Sequence, residues 1–361
     1  MFKSFPRIIS LVLSLVFLAR SSPVFAFETD QYNLPTVPLA DIGDEVSEYV
    51  EENIREAVTK INRKISEHEA CLSNKEKVSN CDSPEELKEE LVKLRSAETV
   101  AKGVFKPLGG GIPPFTNSGT WMEKHKFEAK PARFKTSFSD SIYKVLPVNY
   151  LTISDTVRIY GVEFGTDKIA HIFQQGFTYY KLYEKASAKG LSPKKAAQKA
   201  IKYGKRTEAT YYGYFVSGVY SNGDLAANFA GMKFYQNLTR EVKVGNETLL
   251  PILELKDGIW KFKDEKNLRT AVLKPFISNH LNEALNPSVY FKLFWLDTCV
   301  RKTVRKQSCS GWRTQFPDLK KADFENITNG LKLWHNEDYG YKESSHFITI
   351  ANSCFEQIDQ S

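Results

Sequence analysis

Charged side chains inside an apolar central segment constrain the fold of this chain more than any other feature of its sequence. Asp167, Lys168 and His171 lie among apolar and small residues, and Asp224 and Asn228 lie in a second stretch of the same kind. An unpaired charge that is buried among apolar groups is costly. We therefore expect these residues to meet inside a folded core.

The spacing of apolar residues over 166–238 predicts three helices. Thr166 can cap the first helix, Ser192 and Pro193 open the second, and Gly223 and Asp224 open the third. Small residues would let these helices approach one another closely. They are Gly204, Gly213, Gly218, Ala226, Ala227, Ala230 and Gly231.

Helical spacing also predicts a candidate site. Asp167 and His171 share one helix face, one turn apart, and Asp224 and Asn228 do the same on the third helix. If the helices pack together, Glu208 and Asp224 can approach His171. A histidine flanked by carboxylates can act as a general base. The predicted catalytic residues are His171, Asp167, Glu208 and Asp224.

Two other interpretations of the same residues stay open. Lys168, Gln175 and Asn228 are predicted binding residues, and Lys168 suits an anionic group of a substrate. His171, Glu208 and Asp224 are instead a candidate ligand set for a divalent metal, which is the one cofactor that the sequence suggests. The structural alternative is a buried polar network that fixes the register of the helices.

One series of motifs resembles the core of VanZ-like proteins and related small envelope proteins. The series is Asp-Lys-x-x-His, then a glutamate, then Asp-x-x-Ala-Asn-x-x-Gly. The resemblance covers residues 160–236 and marks Asp167, Lys168, His171, Glu208, Asp224, Asn228 and Gly231. It implies a cell-envelope protein, and in that family the corresponding segments are membrane helices. One member is associated with resistance to a glycopeptide antibiotic. Here, the uncharged stretch between Glu208 and Asp224 is too short for a confident membrane span.

The first 26 residues have the features of a secretory signal peptide. Lys3 and Arg7 precede an apolar run, and small residues allow a cut after Ala26. The alternative is an uncleaved anchor helix, although the apolar run is shorter than a membrane span requires. The expected location is the periplasm or the medium, with membrane association left open.

The charge of the chain limits its partners. Removal of residues 1–26 deletes three basic residues and no acid, so the formal charge falls from +7 to +4. We expect no nucleic-acid partner for an exported chain of this mild charge. A local patch could still meet anionic lipid or polysaccharide. The second central helix has such a basic side, with Lys195, Lys199, Lys202 and Arg206.

Five cysteines agree with export. Cys71 and Cys81 lie ten residues apart, as do Cys299 and Cys309. An oxidising compartment favours two local disulfides with these pairings, which leaves Cys354 over or in competition for a partner. A zinc site is the weaker alternative, because no Cys-x-x-Cys spacing occurs.

The predicted fold class is mainly α, with a multi-helix core, an N-terminal helical hairpin and a small antiparallel β element. The predicted organisation is a hairpin over 27–102, an irregular linker over 103–160, the VanZ-like core over 161–240, and a β element with helices over 241–361. A long amphipathic helix from Val46 to Ile65 and a second from Ser83 to Ala101 form the hairpin. Residues 41–101 are a candidate surface for a protein partner.

The residue pattern of the C-terminal third predicts strands over 241–263, followed by further helices. The predicted helices are 270–285, 288–305, 320–334 and 345–356. On the first of them, His280 and Glu283 lie three residues apart and could be ligands on one face. Their ordinary interpretation is a solvated helix surface.

The expected function is that of an exported periplasmic envelope protein that binds or processes a lipid-linked or cell-wall component through its central polar cluster. The alternative is a non-enzymatic scaffold of the cell envelope. Common catalytic motifs such as Gly-x-Ser-x-Gly and His-Glu-x-x-His are absent from the sequence. The sequence therefore leaves open whether the protein is an enzyme.

Overall fold

The computed structural model describes residues 28–73, 81–109, 121–144, 149, 153–210, 213–214, 217–264, 271–291 and 295–355. The predicted signal peptide lies outside these residues. The described chain is mainly helical, as predicted. Its helices are α1 (Gly43–Ser73), α2 (Pro84–Leu94), α3 (Ala97–Gly109), α4 (Trp121–Lys124), α5 (Thr166–Ala170), α6 (Gly176–Ser187), α7 (Pro193–Glu208), α8 (Asn222–Asn237), α9 (Leu296–Thr303), α10 (Cys309–Gln315), α11 (Lys321–Gly330) and α12 (Ile350–Cys354).

Short strands pair two by two in the described residues. They are β1 (Glu28–Thr29), β2 (Ile153–Ser154), β3 (Thr156–Ile159), β4 (Val162–Gly165), β5 (Val219–Tyr220), β6 (Val242–Val244), β7 (Glu247–Leu249), β8 (Leu253–Lys256), β9 (Ile259–Phe262) and β10 (Val289–Tyr290). The pair β1–β2 is parallel, and β3–β4, β5–β10, β6–β7 and β8–β9 are antiparallel. The last two hairpins account for the strands that the sequence predicts over 241–263.

Helix α1 buries an apolar stripe against α2 and α3. A disulfide joins Cys71 near the end of α1 to Cys81 just before α2, as predicted. The turn between them lies outside the described residues. The predicted second helix is in fact two, because Ser96 accepts a hydrogen bond from the Thr99 backbone N–H at 3.2 Å and starts a new helix there. Helix α3 then continues to Gly109, through part of the predicted linker.

The three central helices that the sequence predicts are present. The first consists of α5 and α6, joined by a π-helical turn over His171–Gln175. It packs against α7 and α8, and α8 is buried on nearly all sides. The helices approach closely at Gly176 and Gly231, where a Cβ on Gly176 would lie 2.5 Å from the Gly231 Cα. The small residues therefore allow the close helix packing that the sequence predicted.

The C-terminal region differs from its prediction. The predicted helix over 270–285 is wrong, because residues 271–285 contain only two short 3₁₀ turns, Lys274–Phe276 and Asn279–Leu281. Helix α9 begins at Leu296, later than predicted, and runs through a π-helical turn into α10.

The predicted disulfide between Cys299 and Cys309 is also wrong. Cys309 pairs with Cys354 of α12, and Cys299 is free. Cys299 and Cys309 lie ten residues apart on one continuous helical run, about 15 Å along its axis. That separation exceeds the reach of a disulfide, whereas α12 packs against α10 and brings Cys354 to Cys309.

Candidate functional site

The centre of the candidate site is the ammonium of Lys168, which is completely buried. Its Nζ lies 2.7 Å from Asp224 Oδ1 and 2.8 Å from Glu283 Oε1, and it also bonds to Asp167. Each of the three carboxylate side chains is at most 2 % exposed. A buried charge with three partners of opposite sign is compensated, so these four residues can share one interior site.

Hydroxyl groups hold two of these acids, and a third hydrogen bond fixes the backbone of Asp224. Thr29 of β1 donates its hydroxyl to Asp167 Oδ1 at 2.6 Å, and Ser221 donates its hydroxyl to Glu283 Oε1 at 2.6 Å. The Ser221 oxygen also accepts the Asp224 backbone N–H at 3.0 Å, which caps α8 and sets the start of that helix. The carboxylates are therefore oriented by separate segments of the chain.

His171 lies at the open edge of the cluster. Its side chain is 18 % exposed, and its Nε2 lies 3.3 Å from Asp224 Oδ2. Its Nδ1 lies 3.0 Å from Asn228 Oδ1, and Asn228 follows Asp224 by one turn of α8. His171 also begins the π-helical turn, a local distortion that is often found at functional sites. Asp224 thus joins the buried Lys168 to the partly exposed His171.

Two further glutamates enlarge the acidic side of the cluster. Burial and the charge of Asp224 raise the pKa of Glu208 well above its usual value, and Glu208 Oε2 accepts the Ser221 backbone N–H at 3.3 Å. Burial, with the charges of Glu283 and Asp224, likewise raises the pKa of Glu28. Burial comes first among the causes that raise the pKa of Glu283. The raised pKa values of Glu208, Glu28 and Glu283 favour the protonated form of these three carboxyls.

The balance of charges keeps Lys168 protonated. Burial alone would lower the pKa of Lys168, but the carboxylates of Asp167, Asp224, Glu283 and Glu28 raise it well above its usual value. Lys168 is therefore a fixed cation.

Most predicted site residues are brought together by the fold. Asp167, Lys168, His171, Asp224 and Asn228 form direct contacts, and Glu208 joins them through Ser221. Gln175 is buried on the π-helical turn, and within the described residues no hydrogen bond joins it to this cluster. Its predicted binding role stays a prediction.

Sequence reasoning missed Glu28, Thr29, Ser221 and the true role of Glu283. Glu283 lies in a turn after the second 3₁₀ segment, where its carboxylate reaches Lys168. His280 instead bonds to the hydroxyl of Ser278 and to the Leu333 carbonyl, and burial lowers its pKa to about 4. His280 and Glu283 therefore belong to different networks and do not form a ligand pair. The ordinary interpretation of a solvated helix surface is also wrong, because both side chains are buried.

A metal would have to compete with Lys168. Oxygens of Asp167, Asp224 and Glu283 lie within 4.8 Å of one another, which is a spacing that can hold an ion. This set shares only Asp224 with the predicted ligands His171, Glu208 and Asp224. The Lys168 Nζ lies among the same oxygens, so a divalent ion placed there would contact an ammonium. The arrangement fits the lysine as the resident cation and does not fit a metal beside it.

Comparison with known proteins adds no relative. No protein-family model, curated protein or solved structure matches this chain. Among the described residues, no helix is both long enough and apolar enough to cross a membrane. The VanZ-like resemblance stays a prediction from the sequence.

Proposed function

We propose that this chain is an exported envelope protein in which His171, supported by Asp224, transfers protons to or from a lipid-linked or cell-wall component. The observation that carries this proposal is the position of His171. It is the partly exposed member of a cluster whose other charged side chains are buried, and its Nε2 lies 3.3 Å from Asp224. A histidine backed by a carboxylate is a common acid–base arrangement.

Each neighbour would have a defined part in this chemistry. Asp224 is held by Lys168 and by the start of α8, so it can orient the imidazole and stabilise its protonated form. The side-chain amide of Asn228 contacts the second nitrogen of the His171 ring, Nδ1. A neutral amide is a weaker partner than a carboxylate. A ligand would therefore replace Asn228 at Nδ1 more readily than Asp224 at Nε2.

The alternative is a non-enzymatic scaffold, and one observation favours it. The cluster ties together β1, α5, the start of α8 and the turn at Glu283, which are far apart in sequence. A network of this kind can serve only to hold those segments in register. In that case, His171 would be dispensable for any activity.

Native mass spectrometry with elemental analysis on protein purified from its own envelope fraction is the first test. The same samples are then incubated with cell-wall sacculi and with a lipid extract of that envelope, and the products are identified by mass spectrometry. The variant is His171→Gln, and the matched control is His346→Gln, which changes an exposed histidine outside the cluster.

We expect a retained ligand or a product with the wild type and with His346→Gln. His171→Gln should reduce product formation by roughly a hundredfold or more, because general acid–base catalysis contributes about that much. Its thermal unfolding should be unchanged. Equal product formation by His171→Gln, or no ligand and no product from any sample, would reject the proposal. A stoichiometric metal would reject our assignment of Lys168 as the resident cation.

A further inference from the structure

The positive charge of this protein is concentrated in α6, α7 and the loop between them. Residues 176–207 contain nine lysines and arginines but only one acid, Glu184. The basic residues are Lys181, Lys185, Lys189, Lys194, Lys195, Lys199, Lys202, Lys205 and Arg206. This segment alone has a formal charge of +8. The whole chain has +7, of which residues 1–26 supply +3, so everything else sums to −4.

In helix α7, the charged residues of the exposed side are distinct from the residues that pack against the core. Apart from Glu208 at its end, its buried side consists of small or uncharged residues such as Ala196, Ala200, Ile201 and Gly204. Its exposed cations are Lys194, Lys195, Lys199, Lys202, Lys205 and Arg206, which we call the basic face. At about 100° per residue, these six positions fall within an arc of about 140°. One side of α7 is thus cationic along its whole length.

The basic face is not arranged like an ordinary solvated surface. On α1, Arg55 pairs with Glu51 and Lys60 pairs with Glu56, each four residues apart. On α7, within the described residues, no salt bridge compensates any cation of the basic face. Like charges instead follow one another at three- and four-residue steps, as at Lys195 and Lys199, which destabilises an isolated helix. A surface of this kind is stabilised when an anionic partner covers it.

A half-buried tyrosine, Tyr214, lies just after the end of the same helix. The Tyr214 backbone N–H bonds to the carbonyl of Glu208, the last residue of α7, at 3.1 Å. The Tyr214 ring lies 5.6 Å from the ring of Phe291, which is 38 % exposed. Aromatic residues of this type favour the interface between a membrane and water.

We infer that the basic face of α7 binds the anionic surface of a phospholipid bilayer. Lysine and arginine are attracted to anionic headgroups without a defined binding pocket, so a long exposed row of cations suits a surface better than a single ligand. The exposed Phe291 beside Tyr214 supplies an apolar contact of the kind that peripheral membrane binding also uses. This inference does not depend on the chemistry proposed for His171.

The test is co-sedimentation of the exported protein with vesicles of phosphatidylcholine, made with or without phosphatidylglycerol, at low and high salt. The test variant is Lys195→Gln/Lys199→Gln/Lys202→Gln. The control variant is Lys64→Gln/Lys88→Gln/Lys102→Gln, which removes the same charge from exposed positions on α1, α2 and α3. Every sample has the same N-terminus, so any contribution from residues 1–26 cancels. Circular dichroism checks folding.

We expect binding only to vesicles that contain phosphatidylglycerol, and weaker binding at high salt because exposed charges are screened. The variant on α7 should bind on the order of a hundredfold more weakly, since each basic residue contributes roughly a fivefold gain at such a surface. The control variant should lose much less. The His171→Gln protein should bind like the wild type, which separates this proposal from the proposed chemistry.

Several results would overturn the inference. Equal binding to phosphatidylcholine alone would show that apolar contacts carry the association. Equal losses in the α7 and control variants would show an effect of net charge without a specific surface. Binding to dextran sulfate or duplex DNA, with none to either kind of vesicle, would assign the basic face to another polyanion. Absence of binding to all of these probes would leave the basic face as a solvated surface.

Discussion

Lys168 Nζ lies 2.7 Å from Asp224 Oδ1, and both side chains are almost completely buried. The second oxygen of the same carboxylate faces His171 Nε2 at 3.3 Å. Asp224 is therefore shared between a buried ammonium and a partly exposed imidazole. Because of this sharing, a change at Lys168 should act on stability, whereas a change at His171 should act on chemistry.

Replacing Lys168 with methionine should destabilise the protein strongly near neutral pH. The substitution keeps most of the length of the side chain but leaves Asp167, Asp224 and Glu283 buried without their cation. Breaking a buried ion pair in this way costs about 3–5 kcal/mol. Urea unfolding measures the loss. Lys195→Met, at an exposed position on α7, should change the free energy of unfolding by no more than about 0.5 kcal/mol.

The cost of Lys168→Met should also depend on pH. Burial raises the pKa of Glu283, so this carboxyl takes up a proton more readily as the pH falls, and the loss should be smaller at about pH 5 than at about pH 7.5. A loss that is equal at both pH values would mean that packing around the methionine, and not uncompensated charge, causes the effect.

Glu208→Gln should flatten the dependence of stability on pH. The folded state raises the pKa of Glu208 above 4.5, chiefly by burial, so the folded protein retains a proton that the unfolded chain has released. Stability from this group is complete below pH 4.5 and is lost as the pH rises through the folded-state pKa. The wild type should therefore lose up to about 1.4 kcal/mol per pH unit that the variant does not lose.

The measurement for Glu208→Gln is the free energy of unfolding at several pH values above 4.5. The advantage of the variant over the wild type should grow with pH. Glu52→Gln, at an exposed position on α1, should run parallel to the wild type. Parallel profiles for Glu208→Gln as well would mean that Glu208 is ionised in both the folded and the unfolded state.

The sequence predicted the part of the site that follows local periodicity. Asp167 and His171 lie one helical turn apart, as do Asp224 and Asn228, and the fold brings the two pairs together. The small residues on α8 predicted the close approach of the helices that makes this contact geometrically available. Both signals are contained within a few residues of chain, so sequence spacing alone could reveal them.

The missing part of the site comes from segments without a periodic signal. Thr29 reaches Asp167 across 138 residues, and Glu283 reaches Lys168 across 115 residues. Both lie in irregular or very short elements, where spacing says nothing about direction. The spacing of His280 and Glu283 even suggested a shared helix face, although neither residue lies on an α-helix. Only tertiary packing could place them.

The disulfide assignment gives a direct chemical test. Non-reducing peptide mapping should find Cys71 linked to Cys81, Cys309 linked to Cys354, and a free thiol at Cys299. Loss of the second bridge by Cys354→Ser should cost about 4 kcal/mol, because its closed loop spans 45 residues. Cys299→Ser should cost much less. A peptide that links Cys299 to Cys309 would contradict the structure.

Gly231→Ala tests the close contact that assembles the site. A Cβ at this position would lie 2.0 Å from the backbone oxygen of Ile172 and 2.8 Å from the Gly176 Cα. Backbone atoms cannot move aside as a flexible side chain can, so α8 must shift away from the π-helical turn, at a cost of roughly 3 kcal/mol or more. Gly311→Ala, where a Cβ meets nothing within 4 Å, should instead stabilise its helix by up to about 1 kcal/mol. Thermal unfolding of both variants measures these changes in stability. Equal changes in the two variants would contradict the close packing of α8 against the π-helical turn.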